Sequence, residues 1–249
     1  MTRNIKLTIE YDGSNFAGWQ IQAKGFRTVQ DEITKVLRKI FKTKINLLGS
    51  GRTDSGVHAL GQVAHFKTES TMPVDTIKRA LNGNLPDEIS ILKAEEVPLK
   101  FHAQFSAKEK TYRYTILNRD GRCSLQRKFC LLYPYKLNLP LMRQEAKALV
   151  GRHDFKSFQA KDLSKKKFMR TVRTIKKLSI QKKGDYIYID VTANGFLYKM
   201  VRNIVGTLLE IGCEKLPKGS IKKILSKKNR MYAGYTAKPW GLTLLEVKY

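Results

Sequence analysis

Alternation and helical periodicity divide the chain into two series of elements that run in the same order. Ile5, Leu7, Ile9 and Tyr11 alternate with Lys6, Thr8 and Glu10, the pattern of a half-buried strand. A turn-rich stretch, DGSNFAGWQIQAKGF, follows. TVQDEITKVLRKIF then predicts a helix, with Thr28 as its N-cap and Val29, Ile33, Val36, Leu37 and Ile40 on one stripe. KINLLG and GQVAHFKT predict strands on either side of a glycine-rich loop. PVDTIKRALNGNLP predicts a helix with Pro73 near its start and Gly83 near its end, and ISILKAEEV a strand. In the second series KTYRYTILN is a strand and LPLMRQEAKALVG a helix stopped by Gly151. RTIKKLSIQ and DYIYIDVTA are strands, FLYKMVRNIVGTLLEIG is a helix, and GLTLLEVKY is a final strand.

Each series reads strand, helix, strand, strand, helix, strand, the order of a ferredoxin-like split βαβ unit. The expected fold is α+β: two ferredoxin-like, RRM-like halves, residues 1–106 and 107–249, with helices on one face of antiparallel sheets. The join is placed near FHAQFSAKEK, residues 101–110, where no flexible linker appears, so the halves are expected to pack rigidly. Sheets joined side by side would leave one broad uncovered surface.

Charge adds a partner to this picture. Forty-eight Lys and Arg face 21 Asp and Glu in 249 residues, a net charge of +27. That excess favours a polyanionic partner, with nucleic acid ahead of an anionic membrane surface. A lysine-biased composition is the plainer alternative. From Lys161 to Lys183 ten Lys and Arg accompany one Asp. Lys165, Lys166 and Lys167 in that run are candidates for phosphate contact, against a solvated strand face and loop. With 42 % hydrophobic residues the chain can bury a core, and a folded chain is expected rather than a disordered one. Cys123, Cys130 and Cys213 form no CxxC pair and the four histidines are scattered, so no metal site is expected. Sparse cysteines fit a reducing cytosol, and no run approaches the roughly 18 apolar residues of a membrane span. The expectation is a soluble, cytoplasmic protein.

The glycine-rich loop holds the candidate chemistry. GSGRTDSGVHALGQVAHF carries one carboxylate, Asp54, with Arg52 two residues before it and Gly51 and Gly56 on either side. Residue types alone leave Asp54 as a turn aspartate. The wording of the segment goes further. GRTDSGVH resembles the signature of the TruA family of tRNA pseudouridine synthases. EYDGSNFAGWQIQ, VQDEI, NGNLP, FHAQFSAKEKTYRY, GRHDFKSF and GFLYKMVRNIVGTLLEIG are similar to further family segments, in the family's order and over nearly the whole chain. The shorter, lysine-rich 161–170 region shows the least family pattern.

The resemblance implies the pseudouridine synthase fold and isomerisation of uridine to pseudouridine in tRNA, at positions 38–40 of the anticodon stem-loop. It implies a homodimer and no metal, nucleotide or redox cofactor. It makes Asp54 the catalytic carboxylate, acting on sugar or base as a nucleophile or as a base; both roles need the ionised form. A neighbouring arginine would favour that form. Arg52 and, by resemblance, Arg202 are the candidates, although Arg202 read alone is a solvated cation. On FLYKMVRNIVGTLLEIG, Leu197, Val201, Ile204, Leu208 and Ile211 form the apolar stripe, with Lys199, Arg202, Asn203 and Gly206 opposite. In KTYRY, Tyr112 and Tyr114 share one strand face and Arg113 takes the other. Tyr112 by residue type is a core tyrosine; the family pattern makes it the ring that stacks on the target base. Gln62 is a candidate to support the loop and, with the three lysines, to contact RNA. His58 and His65 read as hydrogen-bonded structural histidines and Asp12 as a turn residue. Phe16, Trp19 and Leu245 are cleft or core. The rival class is a non-catalytic RNA-binding or RNA-folding protein on the same scaffold, and a synthase acting on other RNA sites is a further alternative.

Overall fold

The elements follow the hydrophobic periodicities closely. The computed structural model describes residues 1–22, 25–161 and 170–249. In chain order they are β1 (Arg3–Tyr11), α1 (Val29–Phe41), β2 (Leu48–Gly49), β3 (His58–Thr68), α2 (Val74–Asn82) and β4 (Ile89–Val97). Then come β5 (Glu109–Leu117), β6 (Leu131–Leu132), α3 (Leu139–Ala146), β7 (Gly151–Asp154), β8 (Val172–Lys183) and β9 (Tyr186–Ala193). The last three are α4 (Met200–Gly212), α5 (Ser220–Lys227) and β10 (Leu242–Lys248). Contacts divide the chain into two units, residues 1–108 with 243–249, and residues 109–242.

In the first unit β1 lies between β3 and β4, antiparallel to both. Ile5, Leu7 and Ile9 are fully buried, as their alternation predicts. The other edge of β3 is shared. β2 ladders onto its later residues, Leu48 against His65, while β10 runs parallel to its first residues, Thr243 against His58. Residues 50–57 span from one of these neighbours to the start of β3. KINLLG forms less strand than expected, only Leu48 and Gly49. The buried Gln30 side chain takes the Leu47 carbonyl at 2.8 Å, in place of a ladder partner. Thr28 caps α1, its hydroxyl accepting from Asp31 N at 3.4 Å. Acids in the first turn and bases in the last complement the helix dipole. Phe41 packs α1 onto β3 through Phe66, ring centroids 5.7 Å apart.

The second unit is an antiparallel sheet in the order β5–β9–β8–β7, with β6 parallel to β5. Ile187, Ile189, Val191 and Ala193 of β9 point into the core. α3 ends at Ala146, earlier than read; a 3₁₀ turn carries the chain to Leu149, and Gly151 with φ 110° opens β7. α5 escapes a periodicity reading because it buries only Ser220, Ile221 and Ile224. The largest departure is α4. Every residue except Glu210 is buried, so the supposed polar side does not face water. It lies under residues 229–238, a strap with no regular secondary structure beyond one 3₁₀ turn, Arg230–Tyr232.

Candidate active site

Asp54 sits in a loop whose backbone is fixed from several directions within the first unit. Gly13 and Gly18 let two backbone segments meet. A Cβ at Gly13 would overlap the Val57 carbonyl, and one at Gly18, φ 99°, would lie 2.6 Å from Thr53 O. Trp19 N donates to Thr53 O at 3.2 Å, while Gly56 N and Ser55 Oγ donate to Phe16 O at 3.3 and 3.1 Å. Asp54 itself closes a turn, its carbonyl accepting from Val57 N at 3.2 Å. Gly56 takes the positive φ, 75°, that this turn requires.

Buried side chains complete the frame. Gln62 is fully buried; its Oε1 accepts from Ser50 Oγ at 2.7 Å and Val63 N at 3.1 Å, and its Nε2 donates to Gly51 O at 3.1 Å. Tyr11 and Thr53 share a hydroxyl hydrogen bond of 2.8 Å, and burial pushes the Tyr11 phenol up to about 12. Asp12 caps a 3₁₀ turn through Ser14 N, and Gly13 N donates to His58 Nδ1 at 3.1 Å. His65 Nδ1 accepts from Ala103 N at 3.2 Å, and burial lowers its pKa. Phe16 and Trp19 are core residues, 2 % and 1 % exposed, and Leu245 is half-buried. On this frame Asp54 is half-buried and Arg52 exposed.

The second unit holds the other two candidates. Tyr112 and Tyr114 do share one face of β5, both buried. Tyr112 meets Phe196 edge to face, centroids 5.1 Å apart. Arg113 takes the opposite face and forks onto Asp190 through two 2.8 Å bonds. Arg202 is 9 % exposed, not the solvated helix cation its position in sequence allows. Its Nε donates to Ala237 O at 2.7 Å, while Ala237 N donates to Arg202 O at 3.1 Å. Tyr114 Oη donates to the next carbonyl, Lys238 O, at 2.7 Å. The tyrosine face of β5 and the arginine of α4 are thus tied to consecutive carbonyls of the strap.

Two features of the second unit lay beyond the sequence reading. The strap is one. Gly206 and Gly234 admit it against α4: a Cβ at 206 would overlap the Tyr235 carbonyl oxygen, and one at 234 would lie 2.7 Å from Thr207 Cα. Asn203 Oδ1 accepts from Thr236 Oγ1 at 2.6 Å and Arg230 Nη2 at 3.2 Å, and Thr207 Oγ1 accepts from Gly234 N at 2.9 Å. The other is Lys110. Strand alternation places it on the tyrosine face, and burial brings its ammonium down to about 8. That alternation was the signal available in KTYRY. Lys165, Lys166 and Lys167 lie outside the described residues. Among the described residues no cluster of three or more His, Cys, Asp or Glu is placed to hold a metal, and no helix is long and apolar enough to cross a membrane.

Comparison with known proteins bears on both units. The chain is 45 % identical over 247 residues to tRNA pseudouridine synthase A of Thermoanaerobacter sp. (strain X514), a match covering 99 % of this chain and 100 % of that one. The tRNA pseudouridine synthase A of Caldicellulosiruptor bescii matches equally, 45 % with the same coverage, and that of Clostridium acetobutylicum at 44 %. A solved Cbf5–Nop10–Gar1 complex is a looser likeness, 12 % identical with a TM-score of 0.36, covering 96 % of this chain and 57 % of that one. The family model described as tRNA pseudouridine synthase matches residues 7–106 and 146–249, which takes in the Asp54 loop and the arginine of α4. With that model spanning both units and full-length relatives this similar, the chain belongs to the tRNA pseudouridine synthase family.

Proposed function

We propose that this enzyme isomerises uridine to pseudouridine at positions 38–40 of the anticodon stem-loop of tRNA, with Asp54 as the reacting carboxylate. The observation that supports it most is the framing of Asp54. In a family that isomerises tRNA uridines, the single carboxylate of the GRTDSGVH loop stands half-buried on a backbone held by Gly13, Gly18 and Gln62. A loop that only turns the chain has no need of such bracing. A preorganised group does, because geometry set before binding lowers the barrier.

The reaction breaks the N1–C1′ bond, turns the base and joins C5 to C1′; C5 then loses its proton and N1 gains one. Asp54 acts either by covalent attack or by removing a ribose proton. A uridine in a stem must first leave the stack, at a cost of a few kcal/mol, and an aromatic face replaces its lost neighbours. Tyr112 is the ring we assign to that role. Arg52, exposed on the loop, suits a backbone phosphate. Arg202 is held by the strap in a fixed orientation, as a group acting on the reacting carboxylate or on RNA would be. Gln62 supports the loop from inside. The enzyme works in the cytoplasm as a homodimer and uses no metal or other cofactor.

The test is to incubate the purified protein with unmodified tRNA transcripts and map pseudouridine. Wild type is expected to modify positions 38–40, and Asp54→Ala none of them, with tRNA affinity kept within about threefold. Pseudouridine at other positions alone would overturn the site choice, and full activity in Asp54→Ala would overturn the assignment of the carboxylate. A wild-type protein that binds tRNA and leaves every uridine unchanged would favour the binding-protein class. Affinity should fall steeply with salt, as counterion release requires.

A further inference from the structure

Outside the site, two thiols stand in hydrogen-bond contact with no disulfide between them. Cys123 and Cys130 occur seven residues apart in CSLQRKFC, a spacing that signals no metal or redox motif. The structure brings their Sγ atoms to 3.4 Å. Both thiols are free, Cys130 buried and Cys123 half-buried. The fold holds this arrangement at both ends. Cys130 directly precedes β6, whose residues Leu131 and Leu132 ladder onto Ile116 and Leu117. Asn118 Nδ2 closes the base of the loop on Tyr133 O at 2.7 Å and Tyr135 O at 2.8 Å. Within it, Gln126 O accepts from Phe129 N at 2.8 Å and from Cys130 Sγ at 3.4 Å, and Arg127 Nη1 reaches back to Ser124 O at 2.8 Å. The sequence between the cysteines is therefore already wound into the turn that a cross-link would need.

We propose that Cys123 and Cys130 form a dithiol modification site that closes to an intrachain disulfide on exchange with a small-molecule disulfide. The sulfurs must approach by about 1.4 Å to reach bonding distance, a small adjustment of two side chains. Cys123 is the sulfur that meets the reagent, because Cys130 is 1 % exposed. Burial, with Cys123 beside it, also pushes the Cys130 thiol up to about 12, which makes it a poor first nucleophile. In the first step the Cys123 thiolate attacks one sulfur of the small disulfide; that S–S bond breaks and one small thiol leaves with a proton. In the second, Cys130 gives its proton to solvent and attacks Cys123 Sγ, expelling the other small thiol. Two protein thiols are oxidised by two electrons and one small disulfide is reduced to two thiols. The charge of Arg119 offsets part of that rise in the Cys130 thiol.

The protein provides its own control in Cys213, whose Sγ contacts Tyr133 Oη at 3.1 Å and the Lys136 carbonyl at 3.8 Å. The reduced protein is incubated with oxidised glutathione at pH 8, denatured, alkylated with N-ethylmaleimide and digested with trypsin without reduction. Wild type should lose two of its three alkylatable thiols. It should also yield CSLQR linked to FCLLYPYK, a pair that separates on reduction. Cys123→Ser, at the less buried position, should keep both remaining thiols alkylatable and yield no linked pair. Three alkylated thiols in wild type, glutathione retained on Cys123 or Cys130 without the linked pair, or a link between two chains would each overturn the proposal.

Discussion

Gly206→Ala tests whether the strap over α4 is a fixed contact. In an isolated helix the change is favourable, because alanine is a better helix former than glycine by about 1 kcal/mol. In the fold the new Cβ overlaps the Tyr235 carbonyl oxygen and lies 2.8 Å from its carbon. Carbon atoms rest at about 3.5–4 Å, so the strap must retreat by roughly 1 Å. Both partners are backbone, so no side-chain rotation relieves the overlap. A retreat of that size breaks the 3.1 Å bond from Ala237 N to Arg202 O and the 2.9 Å bond from Gly234 N to Thr207 Oγ1. It also breaks the 2.7 Å bond from the Arg202 guanidinium to Ala237 O. Two neutral bonds at about 1 kcal/mol each and one charge-assisted bond at about 2 kcal/mol give a loss near 4 kcal/mol. Subtracting the propensity gain leaves about 3 kcal/mol. Urea unfolding followed by circular dichroism should show the midpoint falling by about 1 M. The control is Gly219→Ala, where φ is 87° and nothing lies within 4 Å of the added Cβ, so only backbone strain of about 1–2 kcal/mol applies. A Gly206→Ala protein as stable as wild type, or no worse than the control, would refute the contact.

Other residues give narrower expectations. Gln62→Met keeps the volume and removes three hydrogen bonds to Ser50, Gly51 and Val63, so a loss of about 2–4 kcal/mol is expected in the same unfolding experiment, with turnover falling more than tRNA affinity. Unchanged stability and turnover would remove Gln62 from the support of the loop. For Lys110, burial lowers the ammonium from 10.5 to about 8, so between those pH values the unfolded chain holds a proton that the folded chain has released. Unfolding free energy should therefore rise as pH increases from about 8 towards 10, by an amount on the order of 3 kcal/mol. Lys110→Met should flatten that rise, and superimposable pH profiles for the two proteins would contradict the burial of the charge.

Much of the fold was legible because most of its longer strands and helices bury one face each. ISILKAEEV coincides with β4, and the alternation in KTYRY placed Tyr112, Tyr114 and Arg113 on their observed faces. The Asp54 loop was legible in a different way, through its wording and its resemblance to a family signature, since the residue types alone described a turn. What could not be read was the bracing of that loop. Gly13 and Gly18 looked like turn glycines, yet each marks a place where another backbone segment passes. β7 and α5 were missed because they are too short, or bury too few residues, to build a periodic signal.

The sequence by itself determined the α+β class, the longer strands and helices, the alternation of faces on the strands and the family of the Asp54 loop. Those are properties of spacing between near neighbours, which a linear pattern records. The tertiary structure alone decided that α4 is buried almost all round, that Arg202 is held by the carbonyl of Ala237, and that Cys123 and Cys130 meet. Each of these depends on where an aperiodic segment is laid down. Such a segment is held by hydrogen bonds that its carbonyls accept from, and its amides donate to, side chains elsewhere in the fold. Every residue but proline has both of those backbone groups, so their partners leave no trace in residue type.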